Sequence, residues 1–96
     1  MQIRQVVVTG REQVELQHNF LDEQTLGPHE LLIESEWSFI STGTELANYT
    51  GREPKVFQAG TWCAYPWRSG YANCGVVRAI GSAVTRAHVG ERVFTY

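Results

Sequence analysis

The sequence lacks most of the features that announce a function. It has no run of lysine or arginine, and its 96 residues carry a formal charge of −2. A phosphate-facing surface has to be basic, so nucleic acid is not an expected partner. No apolar stretch approaches the roughly 20 residues of a bilayer-spanning helix. The opening M-Q-I-R-Q-V-V-V-T-G is too polar, and too short in its apolar part, for a secretory signal. The expectation is a cytoplasmic protein without membrane contact. Only two cysteines occur, Cys63 and Cys74; they are too few for a disulfide framework and are not spaced as a zinc motif. They read as two small, half-buried thiols. His18, His29 and His88 are scattered, with no metal-ligand spacing among them. There is no internal repeat, low-complexity tract or linker, so residues 1–96 are read as one small domain.

What is present is mostly strand pattern. Ile3–Thr9 carries three consecutive β-branched residues, Val6, Val7 and Val8, and Gly10 ends the run. Gln13–Phe20 alternates cleanly, which predicts a half-buried strand with Val14, Leu16, His18 and Phe20 on the covered face. Gly27-Pro28 marks a turn. Glu30–Ser38 alternates again, with Leu31, Ile33 and Trp37 set against Glu34, Glu36 and Ser38. Gly70–Phe94 reads as strand, turn, polar connection and strand, punctuated by Gly81 and Gly90. The sum is antiparallel β with short connections, as in a barrel or a sandwich.

Two stretches break that pattern. In Ile40–Gly51, Thr42-x-x-Glu45 has the form of a capping box, in which the Thr42 hydroxyl and the Glu45 carboxylate each accept a backbone N–H of the other. A short helix follows, and Gly51 supplies its stop. Its first N–H groups form a fixed point that favours an anion or a developing oxyanion. Arg52–Ser69 is long and irregular, with Pro54 and Pro66 among Phe57, Trp62, Tyr65 and Trp67. Such a loop either lines a pocket with its aromatics or is pinned to the sheet by them.

The stretch G-Y-A-N-C-G-V-V-R-A-I-G-S-A-V-T-R-A-H-V-G-E-R-V-F resembles G-H-E-x-x-G-x-V-x-x-x-G-x-x-V-x-x-x-x-x-G-D-x-V of the medium-chain alcohol dehydrogenases. That segment lies in their GroES-like catalytic domain. Upstream, P-H-E-L-L-I-E-S-E-W-S-F-I-S-T-G-T-E-L-A-N-Y-T-G is similar to the family's G-E-V-L-V-x-V-x-x-x-x-I-C-x-T-D-x-x-x-x-x-G. The resemblance implies a mainly β, partly open antiparallel barrel with one short helix. In zinc-dependent members the Cys and the His of these motifs hold the catalytic zinc, and the Glu sits beside it. Here Thr42, Tyr71 and Ala72 stand at those three positions, and none of them suits zinc, which selects thiolate, imidazole or carboxylate. The forms I-S-T-G-T-E and S-G-Y-A-N-C-G look like a zinc-free branch, so no metal is expected.

The resemblance also implies roles. Thr44 matches the hydroxyl that passes a proton from the substrate oxygen; the alternative is that it caps the first helical turn. Tyr71 is the other candidate for catalysis, since a phenol can donate to the oxyanion formed when hydride adds; the alternative is that it fills the space of the absent metal site. Thr42 and Gly43 are expected near the pyrophosphate of NAD or NADP. Trp62, Tyr65, Trp67 and Asn73 are candidates to bind an alcohol or carbonyl substrate. The chain contains no G-x-G-x-x-G turn, so the Rossmann domain that holds the dinucleotide in this family is expected elsewhere. The chain by itself is expected to be inactive, an N-terminal part of a longer oxidoreductase, with open sheet edges that allow a homodimer. A second possibility is a non-catalytic GroES-like module that makes protein contacts.

Overall fold

The computed structural model describes residues 1–96. In chain order the elements are β1 (Gln2–Gly10), β2 (Gln13–Phe20), β3 (Leu31–Phe39), α1 (Thr42–Thr50), β4 (Trp67–Arg68), β5 (Ala72–Ile80) and β6 (Arg92–Thr95). Single 3₁₀ turns lie at Glu23–Thr25 and Pro54–Phe57. The protein is mainly β, with two three-stranded antiparallel sheets and one α-helix, and neither sheet closes into a barrel. No helix is long and apolar enough to cross a membrane. The chain forms two compact units, one of Gln2–Asn19 with Ile40–Gly70, the other of Met1, Phe20–Phe39 and Tyr71–Tyr96.

The first unit holds the helix and the sheet β2-β1-β4. Val7 pairs with Arg68 and Val8 with Trp67. Val7 and Val8 are both buried although neighbouring strand residues face opposite ways, so β1 is covered on both sides at this point. Val8 packs with Val56, Cys63 and Trp67, and Tyr49 and Tyr65 lie against that cluster. Two edge-to-face ring pairs, Phe57 with Tyr65 at 5.6 Å and Trp62 with Trp67 at 6.4 Å, fix the aromatic segment. The stretch 52–69 is therefore less irregular than its sequence suggests, since it contains a 3₁₀ turn and a strand.

The expected face of β2 is not covered. Val14, Leu16, His18 and Phe20 are all exposed. The alternation is real, but β2 is an edge strand and no element of its unit packs on that face. His18 is accordingly a surface histidine, not a core one.

The second unit is the sheet β3-β5-β6. β3 runs against β5 from Leu31 opposite Ile80 to Phe39 opposite Ala72, with shifts in register after Leu32 and after Ser35. Trp37 shares the alternation of Leu31 and Ile33 in the sequence, but it is 76% exposed while they are half-buried. Glu36 is the extra residue of a bulge, so the alternation has lost its phase before Trp37 is reached. Buried Leu32 and Val77 anchor the sheet instead. Gly75 and Gly81 are required by space: a Cβ at Gly75 would collide with the Glu34 carbonyl, and one at Gly81 with the carbonyls of Gly27 and Pro28. Gly81 N–H donates to Glu30 O and Ala83 N–H to Pro28 O, each at 2.8 Å, which locks that corner.

Two exposed ion pairs cross the face of this sheet, Arg78 with Glu34 and Arg92 with Glu36. The second is a fork, with Nε to Oε1 at 2.8 Å and Nη2 to Oε2 at 3.1 Å. The hydrogen bonds from Arg92 hold the Glu36 carboxyl below its ordinary value; partial desolvation opposes them, and the charges of Arg92 and Arg78 add to the lowering. A lowered carboxyl stabilises the fold above its ordinary pKa and ceases to do so as pH falls through the folded value. Arg92→Ala should therefore move the Glu36 titration up toward the ordinary carboxylate pKa of about 4.3, as followed by NMR of the side-chain carboxyl carbon. An unchanged titration would show that Arg92 does not set it.

Candidate functional site

α1 has nine residues, too few to persist on intrinsic propensity. What holds it is visible at its C-terminal end. Three of the last four carbonyls of a helix that would lack partners are taken by other parts of the chain. Ala47 O accepts from Glu53 N–H at 3.2 Å and Tyr49 O from Glu12 N–H at 2.7 Å. Asn48 O accepts from the Tyr65 hydroxyl. Gly51 closes the helix in the left-handed region, at φ 75°.

The N-terminal end is the opposite. The helix begins one residue earlier than the capping-box reading requires, with Ser41 at the cap position and no side chain bonded to the first turn. Glu45 N–H reaches the Ser41 carbonyl at 2.9 Å. The Glu45 carboxylate does not return to Thr42; it accepts from Gly70 N–H at 2.8 Å. The box fails because Glu45 lies four residues after the cap, one beyond the position from which a carboxylate reaches back. The N–H groups of Thr42, Gly43 and Thr44 are consequently not capped by any side chain of the protein.

A cleft of about 240 Å³ opens beside this turn, lined by Gly43, Thr44, Ala47, Asn48, Glu53 and Trp62. Thr44 and Asn48 are four residues apart, on one helical face. Asn48 is buried at 1% exposure, and neither Nδ2 nor Oδ1 of its side chain has a hydrogen-bond partner. Such an orphan is costly, since an unmade bond leaves the desolvation of the amide uncompensated. Glu53 is half-buried at the cap of the 3₁₀ turn, with Lys55 N–H at 3.4 Å from its carboxylate. The surface that meets the cleft is mostly apolar, with the exposed Trp62 ring as one flat wall, and the polar atoms of the Asn48 side chain are closed off from it.

The site residues expected from the sequence are partly brought together. Gly43, Thr44 and Trp62 share this cleft. Thr42 and Trp67 instead line a larger apolar cleft of about 440 Å³, with Val6, Val14, Ile40 and Leu46. Trp62 and Trp67 also border a third, of about 400 Å³. Tyr65 is half-buried, and its hydroxyl is engaged by Asn48. Burial raises its pKa, outweighing the lowering by Arg11, while Cys63 adds to the rise, so the phenol keeps its proton and remains a donor. Tyr71 and Asn73 belong to the other unit. Tyr71 is exposed just before β5, and Asn73 sits opposite Ser38 and Thr95, with its Oδ1 buried and unpartnered. No three side chains among His, Cys, Asp and Glu gather as a metal set requires. Asn48 and Glu53 were not singled out from the sequence. The spacing of Thr44 and Asn48 is the signal that points to the first; nothing local marks the second.

No family model matches the chain, and searches of curated proteins and of solved structures return no match either.

The contact between Tyr65 and Asn48 is open to direct measurement. Tyr65→Phe removes the hydroxyl and keeps the ring, so urea unfolding should report a loss of about 1 kcal/mol, or somewhat more because a buried carbonyl is left unpaired. No loss would mean that the hydroxyl does not hold the helix.

Proposed function

We propose that this chain is the substrate-binding part of a zinc-independent, NAD(P)-dependent medium-chain oxidoreductase that moves hydride between nicotinamide and an alcohol or carbonyl carbon. The reading rests on the quoted motifs, and one structural observation carries it. I-S-T-G-T-E runs into the start of a helix whose first N–H groups are uncapped, and places Thr44 on the wall of the cleft beside it. We further propose that the two sheets correspond to a partly open GroES-like barrel; their antiparallel pairing and the single helix support this.

In this reading the bound nicotinamide supplies or accepts the hydride. The residues of this chain do the rest. The first-turn N–H groups of Thr42 and Gly43 fit the negative end of a pyrophosphate, because the helix end is partly positive and no side chain blocks it. The Thr44 hydroxyl donates to the substrate oxygen as a carbonyl becomes an alkoxide, and hands over its proton while it takes one from solvent. Thr42, Tyr71 and Ala72 offer zinc no thiolate, imidazole or carboxylate, so the polarising task falls to hydroxyl and N–H donors. Trp62 flanks the organic part of the substrate.

A second reading, a module for protein contacts, is favoured by the bare apolar face of β2, where Val14, Leu16 and Phe20 are exposed.

The test uses the protein joined to its dinucleotide-binding domain. NAD(P)H-dependent reduction of aldehydes should survive treatment with a zinc chelator. Thr44→Val should lower kcat by about 100-fold, the lower range for loss of a positioned proton donor, with a smaller change in KM. Absence of cofactor binding, or full activity in Thr44→Val, would refute the reading.

A further inference from the structure

The sheet β3-β5-β6 has a face crowded with uncovered rings. The bulge at Glu36 sets Trp37 opposite Cys74, and Cys74 stands opposite Phe94, so all three point to the same side. Phe39 lies two residues from Trp37 and Tyr96 two from Phe94, which returns both to that side. The Phe94 and Tyr96 rings are 5.8 Å apart. Trp37, Phe39, Phe94 and Tyr96 are between 61% and 91% exposed. At about 150–250 Å² per aromatic side chain, they leave on the order of 500 Å² of ring surface in water, the upper end of what a typical monomer shows in one patch.

The charges on this face select its occupant. Arg78 is paired with Glu34, and Arg92, two residues from Phe94, is paired with Glu36. Single-stranded nucleic acid stacks on exposed rings, but it needs free cations for its phosphates, and both arginines are already neutralised. A strongly acidic or basic partner finds no opposite excess for the same reason. A second copy meets neither objection. The face carries both signs equally, and a two-fold axis brings the arginines of one copy toward the glutamates of the other without net repulsion. Two such patches bury on the order of 1,000 Å² of ring surface before their surroundings are counted, close to the roughly 1,200–2,000 Å² of a stable interface. Aromatic residues and arginine are also the types that such interfaces favour.

We propose that the chain forms a two-fold dimer through this aromatic face, with Trp37 and Phe94 at the centre and the two ion pairs at the rim. The contact is face to face and does not use the strand edges. It uses no residue of the proposed reaction and stands whether or not that reading holds.

Sedimentation velocity of the 96-residue chain at about 100 μM, well above the micromolar dissociation constants at the weak end for interfaces of this size, should show a dimer. On dilution, the Trp37 indole N–H signal in NMR should move while that of Trp62, exposed in the other unit, stays in place. Trp37→Ala should raise the dissociation constant by about 30-fold or more, as loss of an interface hot spot does; the residue is exposed, so the fold persists. Leu16→Ser, on the bare face of β2, should change nothing. Arg92→Glu alone should weaken the dimer by about 10-fold, because it sets like charges along the rim. Adding Glu36→Arg should restore it, because both copies change together and the rim is again self-complementary. A monomer at that concentration, a dimer indifferent to Trp37→Ala, one dissociated by Leu16→Ser, or one that the paired exchange fails to restore would overturn the inference. A monomer whose Trp37 signal responds to single-stranded DNA would overturn it in favour of stacked bases.

Discussion

The hydrogen bond from the Tyr65 hydroxyl to the Asn48 carbonyl is the contact on which the helix-bearing unit turns. A nine-residue helix needs an outside hold, and this one is gripped at its C-terminal carbonyls by Glu12, Glu53 and Tyr65, from three separate segments. Tyr65 is itself seated against Val8, Val56, Cys63 and Trp67, so the grip is backed by the apolar cluster. Burial keeps the phenol protonated, and therefore a donor. Because the hold lies at one end, the other end is free. The first turn of α1 has no side-chain cap, and the carboxylate best placed to supply one is taken up by Gly70. That asymmetry leaves a helix start with open N–H groups beside a cleft, which is a useful place for chemistry that generates or binds negative charge.

The same junction explains the unpartnered amide. The backbone carbonyl of Asn48 accepts from the Tyr65 hydroxyl, while its side chain is buried with both polar atoms unpaired. A position selected for stability alone would hold an apolar residue of similar size, because that substitution removes the unmet donor and acceptor together.

Much of the fold was legible in the sequence, and the reasons for the misses are specific. Val6–Val8 marked β1, Gly51 the helix stop, and Gly70, Gly81 and Gly90 the punctuation around β5 and β6, because β-branching and turn geometry act locally. Faces were not legible. The alternation in β2 predicted cover for Val14, Leu16 and Phe20, but cover depends on an element arriving from elsewhere, and the strand is an edge. The bulge at Glu36 turned Trp37 outward, and nothing in Ser35-Glu36-Trp37 announces it. Thr42-x-x-Glu45 resembled a capping box, yet the helix started one residue early and Glu45 found Gly70, which lies 25 residues along the chain. In the site, the motif pointed to Thr44 and Gly43, and the aromatic loop to Trp62. Asn48 and Glu53 stayed hidden because their meaning comes from Tyr65 and the 3₁₀ turn at Pro54–Phe57, contacts that only folding creates.

The account holds that the side-chain amide of Asn48, buried without a partner, contributes nothing to folding through hydrogen bonds. Equilibrium urea unfolding of Asn48→Leu, compared with the unaltered protein, tests this most directly. The account predicts an unfolding free energy that is equal or higher, since an orphaned amide is exchanged for an apolar group of similar size. A loss of about 2 kcal/mol or more, the magnitude expected when a satisfied buried polar group is removed, would contradict it.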